Sequence, residues 1–234
     1  MTKLLKPLAC LALLGFPIAL VLYRVGVISF SQSLKVMMAT GVLAALVFLL
    51  SLLFGILKRS DRDAAKAANT ALVIALIPLI GLGMQAFKGR SLPAIHNIST
   101  DVVDPPQFDK VLALRGANSN PIEYKVTELA SVQQDAYPMV KTLKHSLSPV
   151  DVFARAVALV KEQGWELVNA DQDNLTIEAT ETTTLWQFKD DVVIRIRASQ
   201  NGSLIDMRSV SRIGRSDLGA NAKRIERFLN KLTE

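Results

Sequence analysis

An α+β domain carried on three membrane-spanning helices is the architecture predicted for this chain. Three observations predict it: the uneven placement of charge, three long uncharged stretches, and a C-terminal half in which apolar residues recur first at helical and then at strand spacing. Of the 27 Lys and Arg, eight lie in residues 1–87, where only two of the 21 Asp and Glu are found; the rest of the chain holds 19 of each sign. The formal charge of +6 and the pI near 9.5 therefore belong to the flanks of apolar segments, which argues against a nucleic-acid interface. A mean hydropathy of +0.29 is too high for one soluble domain, and 21% charged residues are too many for a chain lying wholly in a membrane.

The uncharged stretches are Pro7–Tyr23, Val36–Leu57 and Ala67–Phe87. A hydrocarbon core about 30 Å thick takes roughly 20 helical residues at about 1.5 Å each. Residues 7–23, 36–57 and 67–87 are therefore read as spans, and residues 1–90 as a membrane domain. Pro17 and Pro78 fall inside two of them, which membrane helices tolerate. Lys3 and Lys6 before an apolar run also suit a signal peptide, but no small-x-small site closes that run, and only nine residues precede Cys10. Cys10 is read as a buried small hydrophobe, and one cysteine excludes an intrachain disulfide framework. Gly41 and Ala45 offer a close-packing position between helices. Lys3, Lys6, Lys58, Arg59, Arg62 and Lys66 fall on one side of the spans, against Arg24 and Lys35 on the other. The positive-inside bias then places the N-terminus in the cytoplasm and everything after Phe87 outside it, joined through the short linker Lys88–Ser91.

In the soluble part, residues 92–234, Pro93, Pro105 and Pro106 predict an extended segment over 92–108. Asn118-Ser119-Asn120-Pro121 marks a turn, and Thr127–Ala136 suits a short helix. Ser148-Pro149-Val150-Asp151 supplies an N-cap, a first-turn proline and a first-turn acid, so a helix is expected over 149–163, closed by Gly164. About four antiparallel strands follow, at Trp165–Ala170, Asn174–Thr183, Asp191–Ala198 and Ser203–Ser211. A last helix over 217–232, opened by Ser216 or Asp217, carries the stripe Leu218, Ala222, Ile225, Leu229 and Leu232.

Asn201-Gly202 reads as a two-residue hairpin turn. That turn pairs Ala198 with Ile205, Ile196 with Met207 and Ile194 with Ser209 on a core face. On the opposite face it pairs Arg197 with Asp206, Arg195 with Arg208, Val193 with Val210 and Asp191 with Arg212. Arg195 against Arg208 is a like-charge contact that needs compensation. One source is internal: a turn at Trp186-Gln187 sets Glu178 beside Arg195. The other is an anion site in which Arg195, Arg208, Arg212, Arg215 and Ser216 receive a phosphate or carboxylate.

Other chemistry is sparse. His96 and His145 lack companions at a metal-ligand spacing, so neither a metal nor a cofactor is expected. Asp190 and Asp191 are adjacent strand residues and point to opposite faces, so they do not grip one substrate atom together. Trp186 and Phe188 near a hairpin tip meet lipid headgroups, line a pocket or fold back on the core edge. No phosphate-binding glycine loop, nucleophile elbow or zinc-protease helix is present, and no catalytic residue is assigned.

The runs Ile177–Thr183, Phe188–Arg195 and Asp206–Ile225 resemble the family catalogued as domain of unknown function 1499. Within them Ser211, Arg212, Gly214, Ser216, Asp217, Gly219 and Asn221 carry a distinctive spacing. The segment Ile95–Asp101 with Asp104–Phe108 is similar to that family's opening, so the resemblance covers about 92–232. It implies a bacterial envelope or organelle-membrane setting and brings no reaction. The function expected is a noncatalytic binding or structural module at the outer surface of a cytoplasmic membrane. Its expected partners are the lipid bilayer, an envelope protein and an anionic ligand. The alternative is an enzyme on a lipid-linked or envelope substrate, working through Asp191, Arg212, Arg215 and Ser216.

Overall fold

A computed structural model describes residues 2–234. The chain divides into two compact units, one ending at Lys88 and one formed by Gly89–Glu234. The first contains α1 (Thr2–Arg24), α2 (Phe30–Leu57) and most of α3 (Arg62–Ser91), each long and apolar enough to cross a membrane. They outrun the uncharged stretches because a helix continues past the hydrocarbon into polar surroundings, where its charged turns are solvated. The Lys88–Ser91 linker is accordingly helical, forming the last turn of α3. Ser29 and Gln32 close a capping box that starts α2 well before Val36. Small residues line the packed faces: Ala9, Ala12, Gly15 and Ala19 in α1, Gly41 and Ala44 in α2, and Ala64, Ala68, Ala71 and Ala75 in α3. Lipid supplies no hydrophobic drive for helix association, so close backbone approach through small residues has to provide the contact.

The second unit is built on a six-stranded antiparallel sheet. Its strands are β1 (Asn97–Ser99), β2 (Leu143–His145), β3 (Glu166–Asp171), β4 (Thr176–Thr182), β5 (Lys189–Ser199) and β6 (Gly202–Ser211). The order is β1-β6-β5-β4-β3, and β2 pairs with β6 beside β1. The two strands beyond the four expected are three residues each, too short for alternation to show. Helices α4 (Val126–Ala136), α5 (Pro149–Glu162) and α6 (Ala220–Thr233) complete the unit. Ser148 caps α5 through the Asp151 amide, as its sequence predicts. Helix α6 begins three residues later than predicted, because Leu218 (φ 52°) and Gly219 (φ 78°) carry the chain through a left-handed bend first.

One face of the sheet presents Ile177, Ala179, Val192, Ile194, Ile196, Ile205 and Met207 to Val152, Ala156, Val160 of α5 and Ile225, Phe228, Leu232 of α6. Each Val, Ile, Leu, Phe and Met among them, taken fully from water, contributes roughly 1.5–3 kcal/mol before chain entropy is counted. The opposite face carries charged residues and a small apolar cluster, Val193 and Val210 against Phe108 and Val111. It is covered by residues 100–125, a strap whose only regular piece is the 3-10 turn Lys110–Leu114.

Both hairpin registers differ from the sequence expectation by two residues. Ser199 pairs with Gly202, so Gln200-Asn201 forms the turn, Arg195 lies opposite Asp206, and Val193 lies opposite Arg208. Likewise Glu178 pairs with Val193 and Thr176 with Arg195, so Glu178 does not flank Arg195. A two-residue slip keeps every side chain on its face, which is why alternation could not detect it. In the β5–β6 hairpin the physical reason is the job done by Gly202. At φ 129° it lets β6 approach the segment after β2, and a Cβ there would stand 2.2 Å from the His145 carbonyl oxygen. The glycine serves a backbone contact outside the hairpin rather than its turn.

Gly202→Ala is therefore expected to cost about 2 kcal/mol or more, through overpacking and strain at the β2–β6 seam. Trp165, stacked on Phe228 in the core with ring centroids 5.3 Å apart, reports unfolding of this unit by fluorescence. An unchanged midpoint would contradict the account of Gly202.

Candidate functional site

The charged face of the sheet contains Arg212, Arg195 and Arg208 of the predicted anion set, and the structure places each in a separate cluster. Asp191 is 0% exposed at the start of β5. It accepts from Thr180 Oγ1 at 2.9 Å, from Arg212 Nη2 at 2.8 Å, and from Arg115. Arg212 also donates to the Leu114 carbonyl at 2.8 Å, and Arg115 to the Asn120 carbonyl at 2.6 Å. Both arginines thus tie the strap to the sheet through one carboxylate. Asn120 adds side-chain bonds to the Ser211 and Gly214 carbonyls at 3.0 and 2.9 Å.

Arg195 lies in a second cluster. It reaches Asp104 at 2.8 Å, Asp101 at 3.1 Å and Asp206 at 3.3 Å, while Arg197 reaches Asp206 at 2.6 Å and Asp101 at 3.3 Å. Thr100 and Thr142 donate to the remaining oxygen of Asp206 at 3.1 and 2.6 Å. Burial works to raise the Asp101 pKa, but the amides of Asp104 and Val103 and the two guanidinium groups outweigh it, so its pKa is lowered.

Arg208, 1% exposed, forms the third cluster without a carboxylate. It donates to Asn97 Oδ1 and the Pro106 carbonyl at 3.0 Å each, and to the Ile122 carbonyl. Its guanidinium stands over the rings of Phe108 and Tyr124, 5.2 and 5.7 Å from their centroids, which adds cation–π attraction. Burial pulls its pKa down to about 10, which leaves it cationic at neutral pH, and pushes the Tyr124 phenol up to about 12. The Tyr124 hydroxyl lies 3.0 Å from Gln133 Oε1; the Gln133 amide in turn pairs with the Ser99 N–H and carbonyl at 2.9 and 2.7 Å, extending the sheet edge with a side chain.

Ser216 and Arg215 stand apart from these clusters. The Ser216 hydroxyl lies 3.4 Å from the Pro93 carbonyl and accepts from the Leu218 amide at 3.2 Å. Arg215 is exposed, and its carbonyl lies 3.3 Å from His96 Nδ1. Among the described residues no group of three or more His, Cys, Asp or Glu is placed to hold a metal ion.

Asp190 points to the helical face, opposite to Asp191. There it pairs with buried Arg224, which also reaches Glu181, Asn221 and Ser209. Asn221 donates to the His96 carbonyl at 3.0 Å and to Ser211 Oγ at 2.9 Å. Asp217 accepts the Gly219 and Asn221 amides at 2.8 Å each, although burial still raises its pKa. Residues not anticipated as partners include Asp101, Asp104, Arg115, Asn120 and Gln133. Four of them lie on the strap, where no periodicity marks which strand they meet.

This combination defines a class: a three-helix membrane protein whose α+β domain neutralises its charged sheet face with its own strap. The family described as "Protein of unknown function (DUF1499)" matches residues 97–232, more than half of the chain, and the protein belongs to it. No curated protein matches the chain. The spacing that marks the resemblance has structural work to do here: Ser211 meets Asn221, Arg212 meets Asp191, and Asp217 holds the start of α6.

Asp191→Asn leaves two largely enclosed arginines without their counter-charge and is expected to cost about 3–5 kcal/mol, whereas Arg215→Gln should stay within about 0.5 kcal/mol. Trp165 fluorescence during denaturation measures both, and equal effects would contradict this division. Asp101, with its lowered folded pKa, contributes stability that is present above its ordinary value of 3.8 and lost as pH falls through the folded value. Asp101→Asn should flatten that acid limb of the stability profile; an unaltered limb would rule out this contribution.

Proposed function

We propose that the unit Gly89–Glu234 is a noncatalytic binding or structural module on the extracytoplasmic face of the cytoplasmic membrane, serving an envelope protein partner or an anionic ligand. The observation that carries this reading is the use made of Asp191. Both of its oxygens are occupied by Arg115, Arg212 and Thr180, so this fully buried acid of the charged face serves the fold. An enzyme working through Asp191, Arg212, Arg215 and Ser216 would have to open this ion set before touching a substrate. Arg215 is the member of the predicted anion set whose side chain is exposed, which makes it the contact offered to an anion. The extracytoplasmic placement is supported by the six basic residues flanking one side of the spans against two on the other.

Alkaline phosphatase fused after Glu234 is expected to be active, while a fluorescent protein that matures only in the cytosol stays dark at the same position. The reverse pattern would overturn the placement. Affinity capture of the full chain from solubilised membranes is expected to return an envelope protein, and purification with a turned-over lipid-linked substrate would favour the enzyme instead.

A further inference from the structure

The soluble unit has one end at which its chain enters, and backbone hydrogen bonds locate that end. The carbonyls of Ile95 and His96 accept from the amides of Asp217 and Ser211 at 3.2 and 3.0 Å, which sets residues 95–96 beside the C-terminal end of β6. The β4–β5 loop lies at this same end. Asp190 pairs with Ser211, the Lys189 carbonyl accepts from the Arg212 amide at 3.0 Å, and the Thr183 amide closes the loop on the Phe188 carbonyl at 2.8 Å.

The end is apolar where a soluble loop is ordinarily polar. Leu185 is 55% exposed, Leu114 49% and Ile213 37%. Trp186 and Phe188 are half-buried and stacked, with ring centroids 6.1 Å apart. Around them Lys189 and Arg215 are exposed bases, while the neighbouring acids Glu166 and Glu181 face Lys189 and the Arg224–Arg227 pair. Stacked aromatics, exposed aliphatics and a basic rim are the composition favoured at a membrane–water interface, where rings sit at headgroup depth and cations meet phosphates.

We infer that this end of the sheet docks on the lipid bilayer, with Leu185, Trp186 and Phe188 entering the headgroup region and Lys189 and Arg215 facing lipid phosphates. The bilayer is favoured as the occupant because the patch lies at the end where the chain arrives from α3, a helix long enough to span it. Such a tether holds the loop at high effective concentration against the surface, so each residue needs only modest affinity. The inference rests on α3 spanning a bilayer and not on the module reading above.

The chain's two tryptophans, Trp165 and Trp186, both lie outside the three apolar helices, so fluorescence reads the soluble unit alone. The full chain is reconstituted into vesicles of phosphatidylcholine and phosphatidylglycerol, with and without lipid spin-labelled near the top of its acyl chains. Roughly twofold stronger lipid quenching is expected for the wild type than for Trp186→Phe, which retains buried Trp165 as an internal control. Equal quenching of the two overturns the inference. The double variant Leu185→Glu, Ile213→Glu should lose the additional quenching while its Trp165 emission and flotation with vesicles persist; retained quenching also overturns it. A wild-type chain that floats with the vesicles but shows no lipid quenching of Trp186 refutes docking while leaving the proposed module in place.

Discussion

Everything on the charged side of the sheet depends on how buried charges and an irregular backbone satisfy each other. The strap over residues 100–125 has little regular structure, so its buried amides and carbonyls need partners that no helix or ladder supplies. The strands beneath it present Glu178, Asp191, Asp206, Arg195, Arg197 and Arg208, charges that would each cost several kcal/mol if left unpaired away from water. Glu178 shows the exchange most directly. Its two oxygens accept the amides of Asp109, Lys110 and Val111 at 3.2, 2.9 and 2.9 Å, closing the start of the 3-10 turn. Arg208 does the converse by donating to two strap carbonyls, while Asp191 and Asp206 hold the strap through its Arg115 and Thr100 side chains.

The helical face follows ordinary apolar packing but contains one polar insertion. Arg224, Asp190, Glu181, Ser209 and Asn221 form a bonded group between α6 and the sheet, and Asn221 links it to the incoming chain through the His96 carbonyl. The start of α6, the end of β6 and residues 93–97 are thereby fixed together. That junction is where the family's distinctive spacing is concentrated, which explains Gly219 and Asn221 as parts of the fold.

Much of this organisation was legible in the residues. Length and charge located the apolar helices, Ser148-Pro149 located α5, and alternation assigned the correct faces to β4, β5 and β6. Register was not legible, because period-two alternation is blind to a shift of two, and Gly202 mimicked a turn glycine while serving contact with the His145 carbonyl. The candidate site was legible as a set of charged strand residues but not as a set of pairs. Arg195 looked short of a counter-charge because the two-residue slip hid Asp206 opposite it, and because Asp101 and Asp104 sit on the strap, far away in sequence and without a pattern to link them to β5.

The central claim is that sheet charges hold the strap. Amide hydrogen exchange in Glu178→Gln tests it most directly, since this change removes a charge while keeping the side chain's size. Protection of the Asp109, Lys110 and Val111 amides is predicted to collapse together, with α5 and α6 remaining protected. Unchanged protection of those three amides would contradict the account.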